Sequence, residues 1–155
     1  MLTAQNLNRL EQLKKHYPTT KALTLPVLWM IQDQYGWISQ DSMKYVAELL
    51  KLPVSHVYGV VTFYTMFNTK RVGKNHIQVC TNVSCMLRDG EKIADHICKR
   101  LNIKMGETTP DEHFTVTEVE CLGACGGAPM MQVNDKYHEN LTVEKVDRLL
   151  DEWKK

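Results

Sequence analysis

The sequence predicts a mixed chain of α+β or α/β class in two parts: an N-terminal helical bundle or arm over residues 1–74, and an α/β domain over residues 75–155. In the first part, apolar side chains recur at helical spacing without a strand pattern. In the second part, runs rich in β-branched residues alternate with helical segments. The short, polar and basic segment 68–74 (NTKRVGK) is typical of a linker between them.

The four helices of the first part are predicted from capping residues and apolar spacing. A Ser or Thr cap accepts a hydrogen bond from the first helical turn, while proline or glycine marks the end of a helix. The predicted helices run from Thr3 to Tyr17, over about 23–35 with Gly36 behind it, from a cap at Ser39, and from near Pro53.

The second part is predicted to have the element order β-α-β-β-β-α. This order suits an α/β sandwich of thioredoxin-like type. The predicted elements are a strand over 76–81, a helix over 88–101, a strand over 114–119, a strand over 130–133, a turn at 134–135 into a short strand around Tyr137, and a closing helix capped by Thr142.

Composition and charge narrow the class of function. The longest apolar runs, such as 27–31, are too short to span a bilayer, and the start of the chain lacks the pattern of a secretory signal. Residues 1–74 carry nine Lys/Arg and four Asp/Glu, net +5, and residues 75–155 carry ten and fourteen, net −4. This uneven charge argues against a nucleic-acid binder. It is explained either by ordinary solvated surface or by two halves that face different protein partners.

Four of the five cysteines form two pairs, Cys80-x4-Cys85 and Cys121-x3-Cys125. An odd number of cysteines without an export signal favours metal ligation or redox chemistry over a disulfide scaffold. Each pair falls where a predicted strand runs into a loop, so two loops at one end of a sheet can bring four thiolates together. A [2Fe–2S] cluster takes four thiolates in this way, and we expect one pair on each iron.

The spacing favours iron–sulfur chemistry over zinc but leaves zinc open. Structural zinc sites usually use Cys-x2-Cys knuckles, and plant-type ferredoxins group three cysteines as Cys-x4-Cys-x2-Cys; the chain has neither pattern. The run 122–128 (LGACGGA) offers backbone N–H groups and small side chains to an anionic cluster. Thr81 and Ser84 are candidate hydroxyl donors.

Other candidate residues have plainer interpretations. Cys98 falls inside a predicted helix and is expected to be a small packed side chain. The six histidines do not adjoin the cysteine pairs in sequence, which argues against a His2Cys2 centre. Met130 and Met131 are expected to pack beside the cluster loop. The aromatic segment 63–67 (FYTMF) is predicted to be either bundle core or partner interface.

The sequence around the cysteine pairs is similar to that of a known family. The runs 80–90 (CTNVSCMLRDG) and 119–130 (VECLGACGGAPM) resemble the thioredoxin-like [2Fe–2S] subunits of respiratory complex I, the E subunits of NADH:quinone oxidoreductase. The first half also matches, at 34–39 (QYGWIS) and 57–67 (VYGVVTFYTMF), so the resemblance covers nearly the whole chain. Many members have a glycine closer to the second cysteine than Gly90, a departure that affects no ligand.

The resemblance implies a non-catalytic electron-transfer subunit with no NADH or flavin site of its own. The implied partners are the FMN-binding, NADH-oxidising subunit and the adjacent large iron–sulfur subunit. The implied location is peripheral, on the cytoplasmic face of the bacterial inner membrane, without direct membrane insertion. The family's ligands of one [2Fe–2S] cluster fall on Cys80, Cys85, Cys121 and Cys125.

Three alternatives remain open at the level of the sequence. The equivalent subunit of an NAD-linked hydrogenase or formate dehydrogenase shares this module. A free-standing [2Fe–2S] ferredoxin would need only the second part, and the helical first part argues against it. A zinc-stabilised interaction module is the third.

Overall fold

The computed structural model describes residues 1–154. The chain divides into two compact units, Met1–Arg71 and Val72–Lys155, while the domain boundary after residue 74 stays a prediction. Residues 1–154 form seven α-helices and four strands: α1 Ala4–Leu13, α2 Thr24–Tyr35, α3 Gln40–Leu50, α4 Val54–Phe63, β1 Asn75–Cys80, α5 Val83–Met86, α6 Gly90–Leu101, β2 Phe114–Val119, β3 Met131–Val133, β4 Lys136–His138 and α7 Val143–Trp153. None of these helices is long and apolar enough to cross a membrane.

The predicted caps of the first unit are confirmed, but the first helix is shorter than expected. Thr3 Oγ1 accepts a hydrogen bond from the Asn6 N–H at 3.3 Å, as predicted for a cap. However, α1 ends at Leu13 rather than Tyr17, because the chain tightens into a turn in which the His16 N–H donates to the Leu13 carbonyl. The helix therefore stops well before Pro18.

Helices α2, α3 and α4 agree with the sequence prediction and enclose the core of the first unit. α2 ends against Gly36, α3 is capped by Ser39 and α4 follows Pro53. Removing their apolar faces from water stabilises this unit. The fully buried side chains of this core include Leu10, Val27, Leu28, Ile31, Ile38, Val46, Leu50 and Val57.

The aromatic segment 63–67, which begins at the last residue of α4, is fixed at its C-terminal end by α2. The Gln32 side chain donates to the Met66 carbonyl at 2.8 Å and accepts from the Asn68 N–H at 2.7 Å. Phe67 is buried, with its ring centroid 5.6 Å from that of Trp29. Phe63, by contrast, is 77% exposed. Phe67 is thus part of the core as expected, and the interface interpretation of the exposed part stays a prediction.

The second unit is built on a four-stranded mixed sheet with the strand order β2-β1-β3-β4. β1 and β2 are parallel, with Ile77 opposite Val116, and the other two pairings are antiparallel. The predicted element order is confirmed, and Thr142 Oγ1 caps α7 by accepting from the Lys145 N–H. The core formed by the sheet, α6 and α7 contains Ile77, Val79, Ile93, Ile97, Phe114, Val116, Met131, Val146 and Leu150.

The predicted helix over 88–101 is present as α6, which begins two residues later than expected, at Gly90, and an additional short helix precedes it. The short helix α5 begins after Asn82, whose side chain accepts from the Val83 N–H at 2.7 Å. Asp89 then takes a left-handed conformation with φ 65°, which ends one helix before the other begins at Gly90. A four-residue helix has no apolar periodicity to detect, and for that reason α5 was not predicted.

Candidate metal centre

The parallel pairing of β1 and β2 brings the two cysteine-bearing loops to one edge of the sheet. In the register of these strands, Cys80 at the end of β1 lies opposite Val119 at the end of β2. Cys121 follows two residues later. The carboxyl ends of parallel neighbours meet at the same edge, so the predicted arrangement of the two strand ends is present.

Cys80 and Cys85 form the buried side of the centre. Both thiols are buried, together with Ala128 and Met130. The Cys80 N–H donates to the Met130 carbonyl at 3.2 Å, which ties the end of β1 to the loop before β3. Burial, and then a hydrogen bond with Cys80, raise the pKa of the Cys85 thiol to about 11. Without a bound metal, this thiol therefore keeps its proton at neutral pH.

Cys121 and Cys125 form the exposed side of the centre. Gly123 has φ +76°, a conformation that a residue with a side chain rarely adopts, and its N–H donates to Cys121 Sγ at 3.3 Å. Cys125 begins a single 3-10 turn over Cys125–Gly127. Its proximity is one of the minor causes of the raised Cys85 pKa.

These residues fit a [2Fe–2S] cluster by their donor chemistry. Within residues 1–154, no three His, Cys, Asp or Glu side chains converge as they would around one metal ion. A [2Fe–2S] cluster instead distributes four thiolates over two irons, two on each. The hydrogen bond from the Gly123 N–H to Cys121 Sγ is of the kind that stabilises negative charge on a cluster ligand. The space beside Gly126 is open, since a Cβ added there would meet no atom within 4 Å.

Residues distant in sequence hold the exposed loop in place. The Tyr137 hydroxyl on β4 donates to the Leu122 carbonyl at 2.7 Å. The Asn140 N–H donates to the Gly127 carbonyl at 2.6 Å. The Arg88 side chain, which follows Cys85 by three residues, donates to the Ala128 carbonyl of the same loop. Such contacts join residues far apart along the chain, and the sequence carries no local signal for them.

Gly90 is a further residue of the site that the sequence patterns do not reveal. A Cβ at this position would lie 2.8 Å from the Cys85 carbonyl oxygen and 3.1 Å from that of Cys80. Because glycine has no Cβ, the first turn of α6 can lie against the backbone of both cysteines. Helix α6 is thereby packed directly behind the buried pair.

Several secondary expectations are corrected by the structure. Met130 packs beside Cys80 and Cys85 as expected, but Met131 lies in the main core of the sheet. The two methionines are consecutive, so the extended chain directs them to opposite faces. The Thr81 hydroxyl donates to the Glu118 carboxylate at 2.6 Å and not to a cysteine sulfur.

The residues predicted to lie outside the site have other partners. Cys98 is half-buried and packs against the main core, as expected, and burial raises the pKa of its thiol. The ring of His96 bonds the Asp147 carboxylate at 2.8 Å, and that of His113 bonds the Trp153 carbonyl at 2.7 Å.

Comparison with known sequences gives matches over almost the whole chain. A family model described as thioredoxin-like [2Fe-2S] ferredoxin matches residues 10–154. The chain is 47% identical over 152 residues to the E subunit of the NADH-quinone oxidoreductase of Rickettsia felis, covering 96% of this chain and 91% of that protein. It is 41% identical over 145 residues to the E 2 subunit of the NADH-quinone oxidoreductase of Rhizobium meliloti, covering 94% and 86%.

Comparison with solved structures matches the fold. The chain superposes on part of an NAD+-reducing [NiFe]-hydrogenase in the H2-reduced state, with a TM-score of 0.72 and 19% identity. The match covers 83% of this chain but only 22% of that one. The chain therefore spans about a fifth of the length of the hydrogenase chain that it matches, and the likeness concerns the fold alone.

We predict that Gly90→Ala lowers the stability of the centre. The added methyl group collides with the Cys85 carbonyl, so α6 must move away from the buried pair, at a cost of about 1–3 kcal/mol in the free energy of unfolding. Thermal unfolding and the iron content of the purified protein measure the effect.

Gly59→Ala is the matched control for this substitution. Gly59 lies inside α4, and a Cβ there meets no atom within 4 Å. Alanine is a better helix former by about 1 kcal/mol, so this variant should be as stable as the parent or more stable. Equal stability and equal iron content in the two variants would contradict the role given to Gly90.

Proposed function

The chain belongs to the thioredoxin-like [2Fe–2S] ferredoxin family, and on that premise we propose that it is an electron-transfer subunit of an NADH-quinone oxidoreductase. Its cofactor is one [2Fe–2S] cluster. The observation that carries the proposal is that the parallel pairing of β1 and β2 brings the loops that carry the two cysteine pairs to one edge of the sheet. The proteins of Rickettsia felis and Rhizobium meliloti, which it matches nearly end to end, are named as subunits of that oxidoreductase.

We assign Cys80 and Cys85 to one iron and Cys121 and Cys125 to the other. When bound, the cluster accepts and returns single electrons. The chain's own residues set the conditions for this chemistry. The Gly123 N–H stabilises negative charge on the Cys121 sulfur, and Ala128 and Met130 exclude water from the buried pair.

The partners and the location are finer parts of the proposal. The chain acts as a non-catalytic subunit beside the FMN-binding subunit that oxidises NADH, with the large iron–sulfur subunit adjacent. The whole assembly lies on the cytoplasmic face of the inner membrane. This part rests on the family resemblance of the sequence, and the relatives support it only in that each is named as a subunit of an NADH-quinone oxidoreductase.

The equivalent subunit of an NAD-linked hydrogenase is the second candidate. The fold match to the NAD+-reducing hydrogenase favours it. The first candidate has stronger support, since identity to the oxidoreductase subunits reaches 47% against 19% for the hydrogenase.

We further propose that the two parts of the chain divide the work, with residues 75–155 holding the cluster and residues 1–74 docking to the flavin subunit. All five cysteines follow residue 74. The first part carries a net charge of +5 and exposes Phe63 beside the partly exposed Tyr64 and Met66. Exposed aromatic and methionine side chains are favoured in the centres of protein interfaces.

The cluster and its ligands are tested by metal analysis of the chain purified under anaerobic conditions. We expect about two irons and about two acid-labile sulfides per chain. Cys121→Ala or Cys125→Ala should abolish the iron–sulfur absorbance because each leaves an iron one thiolate short. Cys98→Ala is the matched control, and it should keep the spectrum at a cost of about 1 kcal/mol in stability.

Two outcomes of these metal and absorbance measurements would contradict the assignment. One is stoichiometric zinc without sulfide in protein expressed with adequate iron. The other is loss of the absorbance in Cys98→Ala while one of the paired cysteines proves dispensable.

The division of work is tested by removing the first part. A chain that begins at Val72 should keep the iron–sulfur absorbance but lose stable binding to the flavin subunit in a pull-down at low and moderate salt. In the full chain, Phe63→Ala should weaken this binding. Leu7→Ala, which truncates a 37% exposed side chain on α1, is the control and should not.

Equal binding by the full and shortened chains would refute docking through residues 1–74. Failure of the shortened chain to hold any cluster would show that the two parts form one cooperative domain.

A further inference from the structure

An arginine side chain forms one of the hydrogen bonds between the two cysteine-bearing loops. Arg88 Nη1 donates to the Ala128 carbonyl oxygen at 3.0 Å, across 40 residues of sequence. Arg88 follows α5, and its own N–H donates to the carbonyl of Cys85. Ala128 follows the single 3-10 turn that begins at Cys125. Arg88 is thus three residues after Cys85, and Ala128 is three residues after Cys125, so the bond connects the two cysteine pairs.

The acceptor of this bond lies in the buried part of the centre. Ala128 is 1% exposed and packs with Cys80, Cys85 and Met130. A buried carbonyl needs a hydrogen-bond partner, and one supplied by a cation is stronger than a neutral one. The Arg88 guanidinium therefore fixes the exposed loop to the buried pair and brings a positive charge to the centre.

The charges around Arg88 leave its guanidinium largely uncompensated. Within residues 1–154, no carboxylate lies within ion-pair distance of Arg88, and its neighbour Asp89 pairs with Lys92 at 2.6 Å. An acidic side chain also borders this loop: Glu139 lies against Gly127, and the Lys145 ammonium donates to the Glu139 backbone carbonyl.

We propose that Arg88 is a positioning residue of the cluster, which holds the two cysteine loops together and favours the reduced state by its charge. This inference rests on the proposed function, because it takes the four cysteines as ligands. Reduction adds one electron to a cluster that already carries negative charge, and a nearby cation stabilises the product of that step. Arg88 thus acts on the cluster through the Ala128 carbonyl and through its field, without being a ligand.

The test compares Arg88→Met, Arg88→Lys and Lys99→Met with the parent, all as full chains with the cluster bound. Lys99 is an exposed cation in the last turn of α6, about 14 Å from the first residue of that helix. Lys99→Met therefore removes the same charge and adds the same side chain away from the centre. One readout is the midpoint potential in a dithionite titration followed by electron paramagnetic resonance. The other is the rate of iron release to a chelator.

Arg88→Met should lower the midpoint potential and release iron about tenfold faster, the loss expected for one charge-assisted hydrogen bond. Arg88→Lys should have a midpoint potential close to that of the parent, because it keeps the charge. It should nevertheless release iron faster than the parent, because an ammonium lacks the planar fork of arginine. Lys99→Met should match the parent in both readouts.

The inference is overturned if Arg88→Met matches Lys99→Met in the two readouts, or if it releases iron faster at an unchanged potential. If Arg88→Met does not fold, Arg88→Lys is measured in its place. Iron release from Arg88→Lys at the parent's rate then overturns the inference. A parent chain with no [2Fe–2S] cluster would refute the proposed function and this inference together. A parent with a cluster that is insensitive to Arg88 would refute this inference alone.

Discussion

The parallel pairing of β1 with β2 is the constraint on which the centre depends. It places Cys80 and Val119 side by side, so the loops that follow must leave from the same edge of the sheet. A shift of this register by one residue would turn one set of side chains to the opposite face. Ile77 and Val116, buried side by side in the core, hold the register in place.

The two sides of the centre are stabilised in different ways. Cys80 and Cys85 are fixed by burial, with Gly90 allowing α6 to pack directly behind them. Cys121 and Cys125 are exposed, so their loop depends on hydrogen bonds from Tyr137, Asn140 and Arg88 to its carbonyls. The bond from Arg88 links the two sides, and for that reason we regard it as more than a surface contact.

Much of the fold could be predicted from the sequence because its signals are local. Thr3, Ser39 and Thr142 cap their helices as expected, and the strand patterns correctly placed the first cysteine of each pair at or just after a strand end. The contacts that were missed are long-range: the carbonyl partners of Arg88 and Tyr137 are 40 and 15 residues away. Met131 was misplaced because its position depends on which face of β3 the core covers.

The central claim is that two cysteine pairs at one sheet edge each hold one iron of a single cluster. The most direct test is an iron anomalous-difference map from crystals of the anaerobically purified chain. We predict two adjacent iron peaks, one bonded by Cys80 and Cys85 and the other by Cys121 and Cys125. A single metal peak, or an iron bonded by Cys98 or a histidine, would contradict the claim.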